Sequence, residues 1–177
     1  MSWDTTDTPQ SCDRKGADLS LYYNTGTCEV PVWVFHRGIV GDLTVNDADD
    51  EEELAIRDPD QNFKLYSPGK TDLSVTGEQL LDPTYEGAHL FNTMRRGGAP
   101  ADLLVLTGSI EDVGNVGYRG AFWNMDRGWN GPETGNATQN FNLRPAACQD
   151  CPITTVRVEE AGEVVDYDPG VFVPASA

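Results

Sequence analysis

Apolar and polar residues alternate along most of this 177-residue chain, with the two-residue period of half-buried β-strands. Turns rich in Gly, Pro and Asp separate the alternating segments, so the strands are predicted to be short. The predicted strands are residues 17–23, 30–35, 39–45, 54–57, 72–78, 103–106, 118–125, 137–144, 155–158 and 163–167. The pattern therefore predicts a mainly β protein.

One stretch, DPTYEGAHLFNTMRR at residues 82–96, predicts a helix instead. Asp82 is a suitable N-cap, and Pro83 suits the first helical position, where its missing N–H is not needed. The apolar strand 103–106 follows, and its continuous LLVL pattern predicts burial on both faces. We expect the helix to cover one of these faces with an apolar stripe, formed by Gly87, Leu90, Phe91 and Met94.

Two segments are predicted to be loops that are poorly ordered in the monomer. Residues 46–53, NDADDEEE, are too densely charged to pack, and residues 58–70 form an excursion rich in Pro and Gly. The whole chain is acidic, with 29 acidic and 12 basic residues and a net charge of −17. Such a surface repels nucleic acid and anionic membranes. Solubility in high salt and ordinary acidic character both remain open as reasons.

The four cysteines are Cys12, Cys28, Cys148 and Cys151. The last two form a C-x-x-C pair, but the set lacks the spacing of a zinc ribbon. All four are thus weak metal candidates, and structural cysteines, either unpaired or disulfide-bonded, are favoured over a metal site. No nucleophile, base and orienting group occur together in a known motif, which predicts a non-enzyme without a cofactor.

The chain is predicted to have three parts. Residues 1–16 read as an N-terminal arm, residues 17–146 as the β domain, and residues 147–177 as a C-terminal extension. No run approaches 18 apolar residues, and the polar start lacks a secretion signal, so neither a membrane span nor export is expected.

The order of these elements resembles a known family. The strand ADLSLYY, a Trp-bearing strand, an acidic segment and LSVTGEQL precede DPTYEGAHLFNTMRRGGAPADLLVLTGSI, and an aromatic strand and ATQNFNLRPA follow. This arrangement is similar to the major tail tube proteins of long-tailed, non-contractile (siphovirus-type) bacterial and archaeal viruses. The helix motif falls on Asp82, Pro83, Leu90, Gly97, Gly98 and Pro100, and the strand after it is 102–107.

The resemblance implies a β-sandwich or barrel with one flanking α-helix, long loops and terminal arms. It implies a structural virion protein whose hexameric rings stack into the tail tube that conducts double-stranded DNA during ejection. The implied partners are other copies of the chain, the tape-measure protein, and the tail terminator and distal tail proteins. The implied location is the virion tail, after assembly in the host cytoplasm.

Two sets of residues follow as candidates for these roles. The apolar cluster Phe63, Leu65 and Tyr66, within an otherwise polar excursion, is the candidate contact between rings. Acids on predicted strands are the candidate lumen residues, because a negative wall would repel the DNA phosphates. These acids are Asp18, Asp42 and Asp72, with the polar neighbours Ser20, Thr44, Ser74, Thr138, Asn140 and Asn142.

Two other classes of protein remain possible at this stage. A secreted β-sandwich module could bind carbohydrate by stacking sugars on Tyr118, Trp123 and Trp129. A small zinc-binding protein, or a small metal-dependent enzyme, could be organised around Cys148 and Cys151.

Overall fold

The computed structural model describes residues 19–54, 65–82, 84–94, 98–148 and 150–168, with only the backbone for residues 50–54 and 65–69. In these ranges the chain forms ten strands and one helix, which confirms the mainly β prediction. The elements are β1 Ser20–Asn24, β2 Trp33–Phe35, β3 Ile39–Leu54, β4 Leu65–Leu80, α1 Glu86–Thr93, β5 Ala101–Leu106, β6 Val116–Asn124, β7 Trp129–Asn130, β8 Thr138–Pro145, β9 Thr154–Glu160 and β10 Glu163–Asp166. No helix in this described part is long and apolar enough to cross a membrane.

The strands form one open antiparallel sheet with the order β2-β1-β5-β6-β8-β4-β3. Strand β6 divides one of its edges between two partners, since its first half pairs with β9 and its last three residues pair with β8. Gly120 lies between the two halves with φ at +146°, and a Cβ there would lie 2.6 Å from the carbonyl oxygen of Pro152. The close approach of that backbone therefore requires glycine.

The sheet has apolar clusters on both faces, and β5 contributes to each. Leu103 and Val105 pack in the cluster that contains Phe91 of the helix. Leu104 and Leu106 point the other way, into a cluster with residues of β1 and β9. The prediction that this strand is buried on both faces, with the helix over one of them, is confirmed.

The helix is shorter than the predicted range of 82–96. It begins at Glu86 and ends at Thr93. Tyr85 occupies the N-cap position, and no side chain caps it, so the prediction of Asp82 as N-cap is wrong. The Asp82 carboxylate instead accepts hydrogen bonds from the backbone N–H of Thr84, at 2.9 Å, and from the Thr84 hydroxyl. This local Asx turn uses the carboxylate before the helix starts. Pro83 and residues 95–97 lie outside the described residues.

The acidic segment is not a loop, which corrects the prediction for residues 46–53. It belongs to β3, a strand of 16 residues, and it pairs with β4 from Asn46↔Ser74 to Leu54↔Leu65. Residues 65–70 of the second predicted loop are likewise part of β4, whereas 55–64 lie outside the described residues. Low β-propensity of Asp and Glu failed as a guide because cross-strand backbone hydrogen bonding can override it.

Strands β9 and β10 confirm the two strands predicted near the C-terminus. Their hairpin joins the main sheet through pairs such as Gly117↔Val156. Val156 and Val158 are buried in the second apolar cluster. The division of the chain at residues 16 and 146 stays a prediction.

A buried polar chain runs beneath the helix. His36 hydrogen-bonds to the Gln79 side-chain oxygen at 3.0 Å, Gln79 donates to Gln139 at 2.9 Å, and Gln139 donates to Asn92 of the helix at 2.9 Å. Burial lowers the pKa of His36 to about 4, although the Gln79 hydrogen bond opposes this shift. These hydrogen bonds give partners to polar side chains that would otherwise be buried without them.

Candidate assembly surfaces

The main path of the sheet ends in two edge strands, β2 and β3, within the described residues, and the two differ in character. At one end, β2 and the residues before it expose apolar side chains, with Val30 70% and Phe35 49% accessible. The Phe35 ring lies edge-on to Tyr22, with 5.4 Å between the ring centroids. An exposed edge strand of this kind is a ready template for pairing with another chain.

The other free edge is β3, which is acidic in its outer half. Strand β4 pairs with β8 only from Val75 to Leu80, so beyond Val75 the described parts of β3 and β4 pair only with each other. We call this section, residues 46–54 and 65–74, the ribbon. Its nine β3 residues span about 30 Å at the usual rise per residue.

Two contacts hold the base of the ribbon to the sheet. The Tyr118 hydroxyl donates to the Asp47 carboxylate, and Arg144 forms an ion pair with Asp72. Burial and the adjacent Asp47 raise the pKa of Tyr118 to about 12, so this phenol remains a donor at neutral pH. Farther along, the Thr71 hydroxyl donates to Asp49 across the two strands at 2.7 Å.

The outer ribbon has no third strand beside it in the described structure. An isolated two-stranded hairpin is marginally stable in water, and this one carries six acidic residues among positions 46–53. The acidic residues also repel one another along β3. A ribbon of this length is thus a candidate contact with another subunit.

The candidate ring-to-ring residues lie at or beyond the outer end of the ribbon. Leu65 pairs with Leu54, and Tyr66 pairs with Glu53. Phe63 is outside the described residues, as are the side chains of Leu65 and Tyr66. Their role in contacts between rings stays a prediction.

Polar side chains gather on one face of β3, β4 and β8, opposite the core. Directly paired residues point to the same face of a sheet, and the rows are Thr44↔Thr76↔Asn142, Asn46↔Ser74 and Ala48↔Asp72. The intervening positions, Leu43, Val75 and Leu143, are buried in the core. We call the face that carries these three rows of paired residues the polar face.

The three acidic lumen candidates have different positions relative to this face. Asp72 lies on the polar face, and Asp42 is exposed at the bulge of β3 beside Gly41. Asp18 lies outside the described residues. The sequence pattern found the polar positions one strand at a time, and the pairing of the strands brings most of them together. Which wall of an assembly this face lines stays a prediction.

A second polar site connects distant parts of the chain. Cys28, in the β1–β2 loop, forms a disulfide with Cys151, 123 residues away, and their Cα atoms are 5.8 Å apart. Asp102 lies beside it, where its carboxylate accepts a hydrogen bond from Asn24 at 2.8 Å and lies 3.7 Å from the Arg119 guanidinium. Burial raises the pKa of Asp102 above its usual value, although both neighbours oppose the shift.

Sequence reasoning named the two cysteines but left their pairing open, and it missed Asp102. The available signal was the carboxylate of Asp102 within the otherwise apolar segment ADLLVL of β5. Cys148 is a free thiol in the structure, and Cys12 lies outside the described residues.

Two of the aromatic residues proposed for sugar stacking, Tyr118 and Trp129, lie on different surfaces of the described structure. Trp129 is 73% exposed and lines a groove of about 720 Å³ with His89 and Met125. Tyr118 lines a separate cleft with Asp47 and Ile153. A row of sugar units would need adjacent platforms, so this arrangement does not favour the carbohydrate-binding alternative.

Comparison with solved structures finds chains with a similar fold. The SPP1 tail tube aligns with a TM-score of 0.60 and 11% identity over 85% of this chain and 82% of that chain. A chain from the tail of an empty gene transfer agent particle, determined with C6 symmetry, aligns with a TM-score of 0.54 and 15% identity over 77% and 96%. This chain has a tail-tube-type fold.

A chain from the sheath–tube complex of an extracellular contractile injection system shares the fold as well. It aligns with a TM-score of 0.54 and 11% identity over 89% of this chain and 100% of that chain. The fold is thus found in contractile and other systems alike, and it does not specify the type of tail. No protein-family model matches the sequence, and no curated protein matches it.

Proposed function

We propose that this protein is the structural subunit of a viral tail tube, in which hexameric rings stack and conduct double-stranded DNA. The observation that carries the proposal is the projecting ribbon, on a tail-tube-type sheet whose main path ends in the free edges of β2 and β3. The role is structural and not enzymatic. The virion tail is the expected location, after assembly in the host cytoplasm.

Closure of a ring would give a partner to each of the two strands, β2 and β3, that end the main path of the sheet. The apolar edge at β2 and the acidic edge at β3 differ, so the contact between neighbouring subunits is head-to-tail, which closes into a ring when the rotation is right. Six subunits per ring agree with the C6 symmetry of the gene transfer agent tail that shares this fold. The ribbon would then rest on neighbouring subunits, which supply the surface that it lacks in a monomer.

Electron microscopy of purified protein tests the proposal, with a shortened ribbon as the key variant. Asp49 pairs with Thr71, so residues 50–70 can be replaced by Asn-Gly, a dipeptide that closes a two-residue hairpin. We expect wild-type protein to form rings or tubes and the variant to stay a folded, soluble subunit. The core residues Leu73 and Val75 are retained in it.

A matched control places the same dipeptide in another hairpin. Ala161 and Gly162 form the turn between β9 and β10, so Ala161→Asn creates Asn-Gly there without shortening a strand. This control should assemble as the wild type does. Normal tubes from the shortened ribbon would refute its role in assembly, and a monomeric wild type at all concentrations would refute the tube itself.

Contacts between rings are assigned to the outer end of the ribbon. We expect Phe63→Ser, Leu65→Ser and Tyr66→Ser, combined in one variant, to permit single rings but prevent their stacking. Burial of an aromatic or leucine side chain contributes about 1.5–3 kcal/mol, so the loss of all three should separate the rings. Stacked tubes of normal length would contradict this assignment.

The lumen is assigned to the acidic positions Asp18, Asp42 and Asp72, with the polar face around them. A negative inner wall would leave DNA unbound, because a phosphate contact requires a cation. Asp42→Lys is the cleanest test, since Asp42 is exposed while Asp72 already pairs with Arg144. Variant tubes should retain DNA at low salt.

The control for this experiment is Glu163→Lys, which makes the same charge change at an exposed residue of β10. These tubes should release DNA as the wild type does. Equal retention by both variants would show that position is irrelevant and would refute the lumen assignment.

The remaining partners also belong to the proposal. We assign this subunit to a non-contractile tail, with the tape-measure protein inside during assembly and with terminator and distal tail proteins at the ends. Co-expression with the tape-measure protein should give tubes of one length, while the subunit alone should give a broad distribution. A broad distribution in both preparations would contradict the partnership.

A further inference from the structure

The pair Cys28 and Cys151 has a buried carboxylate as its neighbour. The two sulfur atoms and one oxygen of Asp102 all lie within 4.8 Å of one another. The Asp102 side chain is only 10% exposed, and its Oδ1 atom is buried without a hydrogen-bond donor among the described residues. A buried polar atom of this kind calls for a partner.

The donor set suits one kind of ligand. Two thiolates and a carboxylate are the ligand types that bind zinc, with typical distances of about 2.3 Å to sulfur and about 2.0 Å to oxygen. In a tetrahedron with these distances, neighbouring ligand atoms are about 3.5–3.8 Å apart. The present spacing is thus compatible with one ion once the sulfur atoms have separated.

The charges of the site balance in two states. With the disulfide formed, the Asp102 carboxylate is offset by the Arg119 guanidinium, which lies 3.7 Å from it. With the cysteines as thiolates, the site gains two negative charges, which a divalent cation would neutralise. A half-buried cluster that is neutral in both states avoids the penalty of an unpaired charge away from water.

We propose that Cys28, Cys151 and Asp102 form a redox-dependent site for a zinc-class divalent cation, occupied when the disulfide is reduced. A dithiol reductant supplies the two electrons, so the S–S bond breaks, two thiols form, and the reductant becomes a cyclic disulfide. The cation then displaces one proton from each thiol and forms two metal–sulfur bonds. Water completes the coordination.

The site would link separate segments of the chain in both redox states, through the disulfide when oxidised and through the cation when reduced. Cys28 lies in the loop that leads into the exposed edge strand β2, Asp102 is on β5, and Cys151 comes just before β9. The disulfide ties the first and last of these segments together, and the cation would tie all three. The edge at β2 would therefore hold its position in a reducing compartment as well. This inference does not depend on the proposed tail tube.

The test uses the full chain and cobalt(II), which reports tetrahedral thiolate coordination by its visible and near-ultraviolet absorption. Protein reduced with a phosphine and desalted under argon should develop these bands and saturate at one ion per chain, and zinc(II) should bleach them. The oxidised protein should remain colourless. Zinc(II) should also raise the melting temperature of the reduced protein and leave that of the oxidised protein unchanged.

Variants assign the ligands. Cys28→Ser and Cys151→Ser should each abolish the thiolate bands of the bound ion, and Asp102→Asn should weaken cobalt affinity about tenfold or more. Cys148→Ser is the matched control, since it removes a nearby thiol outside the cluster, and it should bind as the wild type does. The melting temperature of each oxidised or metal-free variant verifies that it is folded.

Three results would overturn the proposal. Reduced wild-type protein without tetrahedral bands would leave Cys28 and Cys151 as a disulfide only. Bands that persist in Cys28→Ser would place the ion elsewhere. Loss of the bands in Cys148→Ser would show that the ligand set is a different one.

Discussion

Removing the ring of Phe91 tests how the helix is attached to the sheet. Phe91 is fully buried, stacks on His36 with 4.6 Å between ring centroids, and meets the Phe141 ring edge-on at 5.2 Å. A Phe→Ala change in a core costs about 3–5 kcal/mol, through lost burial and through the cavity that remains. The rigid rings around this site resist collapse, so we expect Phe91→Ala to destabilise the subunit by about 4 kcal/mol.

Urea unfolding of soluble subunits measures this loss as a lower transition midpoint at an unchanged slope. His89→Ala is the matched control, because His89 is on the same helix but exposed, and it should change the stability by less than about 0.5 kcal/mol. A loss below about 1 kcal/mol for Phe91→Ala would show that the helix is peripheral. The assignment of the helix to the core would then fail.

Three further predictions concern protonation, backbone geometry and the disulfide. The pKa of His36 is lowered to about 4 from 6.5, so its stabilising contribution is complete above pH 6.5 and is lost as the pH falls towards 4. Relative to His36→Gln, wild-type protein should lose about 3 kcal/mol of unfolding free energy between pH 7 and pH 4, and a constant difference would refute this. Gly120→Ala should lower the stability by more than about 1 kcal/mol in urea unfolding, since its φ is +146° and its Cβ would meet backbone atoms, and an unchanged midpoint would contradict the close approach. Reduction of the Cys28–Cys151 bond, with a chelator present, should cost about 2–4 kcal/mol and lower the melting temperature, whereas Cys148→Ser should not. An equal melting temperature with and without the bond would exclude a stabilising role.

Local patterns were enough to find most of the strands. Strand β5 was evident from LLVL, β8 from its alternation around Phe141, and β9 and β10 from short apolar segments near the C-terminus. Each signal is local, because a residue's side of a strand follows from its position in the alternation. The resemblance of the ordered elements to tail tube proteins then predicted the fold class, which the solved structures confirm.

The acidic part of β3 could not be found in the same way. Residues 46–53 have the composition of a solvated loop, and their strand exists because β4 lies beside it in register. The partner residues are 28 positions away for Asn46 and 13 positions away for Glu53, so no short window contains the cause. The prediction of Asp82 as the N-cap is wrong for a related reason. Its carboxylate accepts a hydrogen bond from the backbone N–H of Thr84, before the helix begins.

The sequence by itself determined the period of the strands, the apolar stripe of the helix and the acidic character of the surface. These depend on single residues and their neighbours in the chain. The tertiary structure alone decided the long ribbon, the polar face and the meeting of Cys28, Asp102 and Cys151, whose three segments are far apart in sequence. Such features arise because strand pairing brings distant parts of the chain together, and the register of the strands decides which residues then lie side by side.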